Sequence, residues 1–188
     1  DIRDKDALTA SLAACEMISY YKEKNSSAFK ELIKLYTIHG FYKEKLISIV
    51  KKGEKGKNEI NKIIDDFRKK PLDFILESRV KYFCDYSISI RMDLINGSSE
   101  KIVLPKSNVI EFESLDGSKI ILRPSGTEPK IKMYISVNTT LNSISKFEVV
   151  DKILNHKIDE IIKSVDLWIQ TISIEFLDMP GSIKSILY

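Results

Sequence analysis

Cysteine, tryptophan and long apolar runs are all scarce in this sequence. Cys15 and Cys84 are the only cysteines in 188 residues, which excludes a disulfide framework, and we expect both to be small buried hydrophobes. No Cys/His spacing resembles a zinc site. No uninterrupted apolar run approaches the roughly 18 to 20 residues of a membrane span, and the N-terminal DIRDKDALTA is charged where a signal peptide is apolar. We therefore expect a soluble, cytoplasmic protein with no membrane partner.

A strong charge of either sign is also absent. The 30 Lys and Arg residues exceed the 27 Asp and Glu residues by only three, so the formal net charge is +3. An excess this small does not suggest a surface that neutralises a run of phosphates, and nucleic acid is not an expected partner. The 43% of hydrophobic residues is enough for a sizeable core.

Helical spacing of apolar residues dominates the first part of the chain. A first helix is predicted over about residues 6–24, with one face, which includes Leu8 and Leu12, expected to be buried. A second helix is predicted from Ser26 or Ser27 to Gly40, and a short strand over residues 41–50. The charged segment 51–57 is typical of a solvated turn, and a third helix is expected to follow it.

Beyond about residue 75 the pattern changes to alternating β-type runs separated by turn residues. The strongest hairpin signal is Asp116-Gly117, since both residues tolerate the positive φ of a tight turn. A final amphipathic helix is predicted to end near Asp166. The fold class is therefore α+β, an antiparallel sheet packed with helices, with a boundary that divides residues 1–74 from residues 75–188.

One loop between two predicted strands is typical of an anion-binding site. Gly126 is expected to adopt a conformation that other residues avoid and to turn successive backbone N–H groups inward. Two prolines limit the motion of this loop, and two lysines share one face of the outgoing strand because side chains alternate. The residues that supply donors or positive charge are Arg123, Ser125, Gly126, Thr127, Lys130 and Lys132.

An alternative interpretation is that the same segment is only a hairpin turn, with Arg123 paired to Glu128 and the lysines solvated. The segment is not a P-loop, because it opens a strand and lacks G-x-x-x-x-G-K-[ST]. Ser125 lies in no G-x-S-x-G motif, and neither His39 nor His156 is placed as its base. Binding is therefore a better hypothesis than bond-making.

The segments LPKSNVIEF and LDGSKIILRPSGTEPKIKMYI resemble the C-terminal domain of the α-D-phosphohexomutases, most closely the bacterial-type phosphoglucomutase/phosphomannomutase group. RPSGTEPK is highly specific to that superfamily. The first 74 residues resemble the end of the preceding domain. The resemblance implies a TATA-binding-protein-like fourth domain after the helical remnant of an α/β domain. It covers about residues 1–166, and the tail 167–188 is expected to be an added strand or a packed extension.

The resemblance implies an activity as well. Phosphohexomutases interconvert hexose 1-phosphate and 6-phosphate through a hexose 1,6-bisphosphate, with a phosphoserine and Mg²⁺. Their T-A-S-H-N-P, D-G-D-G-D-R and E-x-S-G segments do not occur in this sequence. The implied Mg²⁺ ligands therefore lie outside this chain, which we expect to be inactive alone. The implied partners are a phosphosugar and the remaining domains of the enzyme.

The resemblance also assigns roles to particular residues. Arg123, Ser125, Gly126 and Thr127 match the loop that binds the phosphate that is not transferred, and Lys130 or Lys132 completes it. Lys5 matches the lysine of the R-[DE]-K-D-G segment, which points into the active cleft, although Ala7 replaces a glycine common there. Two alternatives stay open. The alternative for Lys5 is that it lies in a frayed terminus. The alternative for the whole chain is a non-catalytic anion- or protein-binding module of the same fold.

Overall fold

The computed structural model describes residues 5–177, which form an α+β fold as predicted. The helices are α1 (Ala7–Glu23), α2 (Ala28–His39), α3 (Gly53–Lys69) and α4 (Phe147–Leu177), with a short 3-10 helix at Ile144–Lys146. The strands are β1 (Phe41–Val50), β2 (Phe74–Ile75), β3 (Ser78–Asp85), β4 (Ile90–Asp93), β5 (Ser99–Lys101), β6 (Ile110–Ser114), β7 (Lys119–Pro124) and β8 (Lys130–Thr139).

These elements fall into two compact units. Of the described residues, one unit comprises residues 5–42 together with Thr139–Asp151, and so contains α1, α2 and the start of α4. The other comprises Lys43–Asn138 and residues 152–177, and so contains α3 and nearly all of the strands. The predicted division at residues 74 and 75 concerns the domains of a larger protein and stays a prediction.

The sheet has the strand order β1-β8-β7-β6-β3-β4-β5, with β2 paired to β3 at one side. The ladders that join β2 through β8 are antiparallel, with Phe83 opposite Phe112 and Ile120 opposite Ile135. In β6 and β8, buried residues alternate with partly exposed ones. One face of the sheet therefore carries the core, as the period of two in the sequence predicts.

The core of the sheet unit is built around Phe67 of α3, which is 0% exposed. Its ring stacks on Trp168 of α4 at a centroid distance of 3.7 Å and meets Phe112 of β6 at 5.7 Å. One aromatic side chain therefore connects two helices to the sheet.

Truncation of this side chain should destabilise the chain strongly. Phe67→Ala removes the ring that these elements share, and we expect a loss of about 3–5 kcal/mol in the free energy of unfolding, measured by denaturant titration. Phe74→Ala is the control, because Phe74 is 54% exposed, and its loss should be clearly smaller. Equal losses for the two variants would contradict this account of the core.

The first helix forms as predicted, but its apolar face is exposed. Asp6 caps α1 by accepting a hydrogen bond from Thr9 N–H at 3.0 Å. No residue of α1 is buried, and Leu8 is 85% and Leu12 63% exposed. The expectation of a buried face is therefore wrong, and so is that of a buried Cys15, whereas Cys84 is buried. Periodicity fixes which residues share a helix face but does not ensure that another layer covers that face.

The charged segment 51–57 is mostly helical rather than a solvated turn. α3 begins at Gly53, and Gly56 is already buried within its first two turns. Glycine has a low helix propensity, which led to the prediction of a turn. Burial of the apolar stripe that includes Ile60 and Ile64 outweighs that propensity here.

The hairpin at Asp116-Gly117 is confirmed, although only its glycine has a positive φ. Gly117 has φ +78° and its N–H donates to Ser114 O at 2.9 Å. Asp116 instead acts through its carboxylate, which accepts hydrogen bonds from Ser114 Oγ at 2.6 Å and from Lys157 Nζ of α4 at 2.7 Å. The carboxylate therefore connects the turn to the last helix.

The pKa of Asp116 reflects these contacts. Burial raises this pKa. The hydrogen bonds from Lys157, Ser114 and the Ser118 N–H lower it by more than burial raises it, so the pKa of Asp116 lies well below its usual range. A carboxyl group with a depressed folded-state pKa contributes stability above its unfolded pKa of about 3.9, and that contribution disappears as the pH falls through the folded-state pKa.

The acid sensitivity of the fold should therefore depend partly on Asp116. We expect Asp116→Asn to lower the free energy of unfolding at pH 7 and to lose less additional stability than the wild type between pH 5 and pH 2.5. Denaturant unfolding at a series of pH values measures both effects. Parallel stability curves for the two proteins across this range would refute the assigned role.

The last helix is longer than predicted. α4 continues past Asp166 to Leu177, so of the two alternatives for the tail, an added strand is wrong for residues 167–177. The stacking of Trp168 on Phe67 fits the other alternative, a packed extension. The remainder of the tail, residues 178–188, lies outside the described residues. Within residues 5–177, no helix has the combination of length and apolar character that crossing a membrane requires.

Candidate phosphate-binding site

The predicted anion-binding loop connects β7 to β8 and is closed by its own backbone. Ser125 N–H donates to Lys130 O at 2.8 Å, and Lys130 N–H donates to Glu128 O at 2.8 Å. Pro124 ends β7, and Pro129 directly precedes β8. The loop is therefore a closed turn with a proline at each side, as the sequence suggests.

The pairing of β7 and β8 brings the predicted cationic side chains to one face. Arg123 lies opposite Lys132 in the ladder, and Pro124 lies opposite Ile131. Ile131 and Met133 are 0% exposed, so Lys130 and Lys132, which alternate with them, lie on the other face of β8. Because directly opposed residues of paired strands point to the same side, Arg123 shares this face.

Several hydrogen-bond donors of the loop are free within the described part of the chain. The backbone N–H groups of Gly126, Thr127 and Glu128 have no partner there, and neither do the hydroxyl groups of Ser125 and Thr127. The Ser125 N–H, by contrast, is used to close the loop. Three consecutive amides and two hydroxyls next to cationic side chains are what a phosphate monoester can use.

Arg123 is exposed, and its guanidinium forms no ion pair or hydrogen bond with any residue in the described range 5–177. A guanidinium presents a planar fork of donors that matches two oxygens of a phosphate. Arg123 is thus available to a ligand from the edge of the loop.

The backbone conformation predicted for Gly126 is wrong. Its φ is outside the left-handed region, and a Cβ built on it meets no atom within 4 Å. The loop is instead closed by the hydrogen bonds of the Ser125 and Lys130 amides and has a proline at each side. Nothing in the described structure requires glycine at this position.

Glu128 pairs with Lys130 and not with Arg123. The alternative interpretation, a simple hairpin turn in which Arg123 pairs with Glu128, is therefore wrong about this ion pair. The hydrogen bond from Lys130 and its positive charge lower the pKa of the exposed Glu128 carboxyl. Lys132 lowers the pKa further. An anion that enters the loop must therefore compete with the Glu128 carboxylate for Lys130.

This competition predicts the effect of neutralising the carboxylate. We expect Glu128→Gln to bind inorganic phosphate more tightly than the wild type, by about twofold to fivefold, which is the scale of an exposed ion pair. A titration followed by the amide resonances of the loop measures the dissociation constant. Weaker binding by this variant would mean that Glu128 holds Lys130 in place for the ligand instead of competing with it.

The remaining predicted residue lies elsewhere. Lys5 is exposed, has φ +58° and directly precedes the cap of α1 in the helical unit. Its place in an active cleft stays a prediction.

Within residues 5–177, no three His, Cys, Asp or Glu side chains lie close enough to hold a metal ion. Sequence reasoning missed Lys51, whose N–H donates to Pro129 O at 2.8 Å, because nothing in the sequence pairs β1 with this loop.

Comparisons with known proteins agree with the motifs. No family model matches the sequence. The phosphoglucomutase of Staphylococcus saprophyticus is 37% identical over 139 residues, 72% of this chain and 24% of that protein. The phosphoglucomutase of Staphylococcus aureus strain USA300 is 38% identical over 136 residues, again 72% and 24%, and that of Staphylococcus haemolyticus is 33% identical over 151 residues, 80% and 26%.

A solved structure is also similar. The exocytosis-sensitive phosphoprotein pp63/parafusin, a phosphoglucomutase from Paramecium in its open form, is 18% identical. The match covers 86% of this chain and 28% of that chain, with a TM-score of 0.42, which does not by itself establish a common fold.

The fold and the loop define an α+β protein with an exposed turn that carries free hydrogen-bond donors and cationic side chains within the described residues. The relatives identify its family: this chain belongs to the phosphohexomutases and fits the C-terminal part of such an enzyme. The chain spans about a quarter of the length of the curated relatives that it matches.

Proposed function

We propose that this chain supplies the substrate-phosphate-binding loop of a phosphohexomutase that interconverts hexose 1-phosphate and hexose 6-phosphate. In this proposal, residues 1–74 end the third domain and residues 75–188 form the fourth. The observation that carries the proposal is a set of amides at residues 126–128 beside the Arg123 guanidinium, all of which lack a partner among residues 5–177.

The chemistry of the ligand fits this arrangement. A phosphate monoester has oxygens that accept several hydrogen bonds and a charge that complements Arg123, Lys130 and Lys132. Each charge-assisted hydrogen bond contributes about 1.5–3 kcal/mol. Three or four such bonds would hold one end of a phosphosugar and orient its other end for reaction.

The loop is also suited to a substrate that reverses its orientation. A bisphosphate intermediate must present each of its two ends in turn, so a binding loop for the idle phosphate has to accept a phosphate on either carbon. Backbone amides and cationic side chains recognise the phosphate alone and do not read the sugar. Sugar recognition would therefore belong to other parts of the enzyme.

The phosphoryl transfer itself is not assigned to this chain. The resemblance places the phosphoserine and the Mg²⁺ ligands of the family outside this sequence, and the carboxylates of residues 5–177 do not cluster to hold a metal. We therefore propose that the chain binds phosphosugars and is inactive alone.

A second candidate function is supported by a different observation. The exposed apolar stripe of α1, with Leu8 85% and Leu12 63% exposed, is typical of a surface that contacts another protein. A non-catalytic module of the same fold would use this surface without using the loop. The binding experiment below separates the two functions.

Titration with glucose 6-phosphate or inorganic phosphate should shift the amide resonances of Gly126 and Thr127 in the isotope-labelled chain. Arg123→Ala should weaken this binding at least tenfold, because it removes a charge-assisted hydrogen bond of about 1.5–3 kcal/mol. Lys106→Ala is the matched control, since it removes an exposed positive charge outside the loop and should leave the dissociation constant almost unchanged.

If the loop amide resonances do not shift at high ligand concentration, the result would contradict the proposed function and favour the non-catalytic module. Equal weakening by both variants would indicate only a general attraction of anions to positive charge.

A further inference from the structure

A segment remote in sequence holds the phosphate-binding loop at its second proline. Lys51 follows β1, and its N–H donates to the carbonyl oxygen of Pro129 at 2.8 Å. Pro129 lies between Glu128 and Lys130, directly after the free amides of the loop. The position of Lys51 therefore affects the position of the loop backbone.

Lys51 is itself held by the start of α3. A Cβ built on Gly56 would lie 2.6 Å from Lys51 Cβ and 2.9 Å from its carbonyl carbon. Both distances are shorter than non-bonded carbon atoms tolerate, so only glycine allows this approach. Gly56 is buried and has no positive φ, which means that close packing and not backbone conformation requires glycine here.

One further contact keeps Lys51 against this helix, because its ammonium group pairs with Glu59 of α3 at 3.2 Å. The next residue, Lys52, joins the chain to the first turn of the helix by accepting a hydrogen bond from Gly56 N–H at 3.2 Å. A continuous set of contacts thus runs from α3 through Lys51 to Pro129.

We propose that Gly56 is a positioning residue for the phosphate-binding loop and acts through Lys51. Its missing side chain lets Lys51 lie close to α3, and from there the Lys51 N–H fixes the carbonyl of Pro129. This inference rests on the proposed function for its effect on binding, but its effect on the loop backbone is independent of any ligand.

A side chain at position 56 should therefore disturb a loop that it does not touch. Gly56→Ala forces Lys51 away from α3 and weakens the Lys51–Pro129 hydrogen bond. Because such a bond contributes about 0.5–1.5 kcal/mol, we expect inorganic phosphate to bind about threefold to tenfold more weakly. The amide resonances of Lys51, Thr127 and Lys130 should shift even without phosphate.

Two controls separate positioning from stability. Asn58→Ala changes an exposed position of α3 and should leave the loop resonances and the phosphate dissociation constant unchanged. Val80→Ala removes methyl groups from a residue that is 1% exposed and lies opposite Ser114, at the other end of the sheet from the loop. It should lower the free energy of unfolding without moving the loop resonances.

A further variant keeps the test decisive if Gly56→Ala does not fold. Lys51→Pro removes the donor itself and leaves Gly56 intact, and its loop resonances and phosphate affinity should change in the same direction. If Gly56→Ala or Lys51→Pro folds and its loop resonances do not move, the inference is overturned. If the wild type binds no phosphate while Gly56→Ala still shifts the loop resonances, the proposed function fails and the positioning role stands.

Discussion

The pairing of β7 with β8 is the constraint on which the candidate site depends. Leu122 and Ile131 are buried on the core face of these strands, and a shift of the register by one residue would move them to the other face. The same register sets Arg123 opposite Lys132 and allows Ser125 N–H to close the loop on Lys130 O. Burial of apolar side chains on one face thus determines the placement of charge on the other.

In this arrangement, the groups that hold the loop backbone differ from the groups that are free to bind a ligand. The prolines, the closing hydrogen bonds and the contact from Lys51 hold the loop backbone, while the amides of residues 126–128 stay free within the described chain. In the proposed function the donors are already oriented, so little conformational entropy would be lost on binding a phosphate. The Glu128 carboxylate pairs with Lys130, and a phosphate would have to compete with it for this lysine.

Much of this fold could be predicted from the sequence, because local signals specify it. Asp6 and Ser27 cap their helices, Gly40 ends α2, and Asp116-Gly117 forms the turn of a hairpin. The wrong predictions concern tertiary context. The exposure of Leu8, the helical start of α3 and the ordinary φ of Gly126 depend on what each segment packs against, which a periodic pattern does not reveal.

The candidate loop was also visible in the sequence, since its prolines, hydroxyls and cationic residues lie within ten positions of one another. The contact of Lys51 with Pro129 was not, because it joins segments more than seventy residues apart through backbone atoms that every residue carries. Such a hydrogen bond leaves no residue-type signal in a single sequence. Gly56 is visible as a glycine, but the sequence does not show that its missing side chain makes room for Lys51.

The central claim is that the loop between β7 and β8 binds a phosphate group. A crystal structure of the chain with inorganic phosphate tests it most directly. The account predicts phosphate oxygens within about 3 Å of the amides of Gly126 and Thr127 and of the Arg123 guanidinium. A phosphate bound elsewhere, with these donors facing only water, would contradict it.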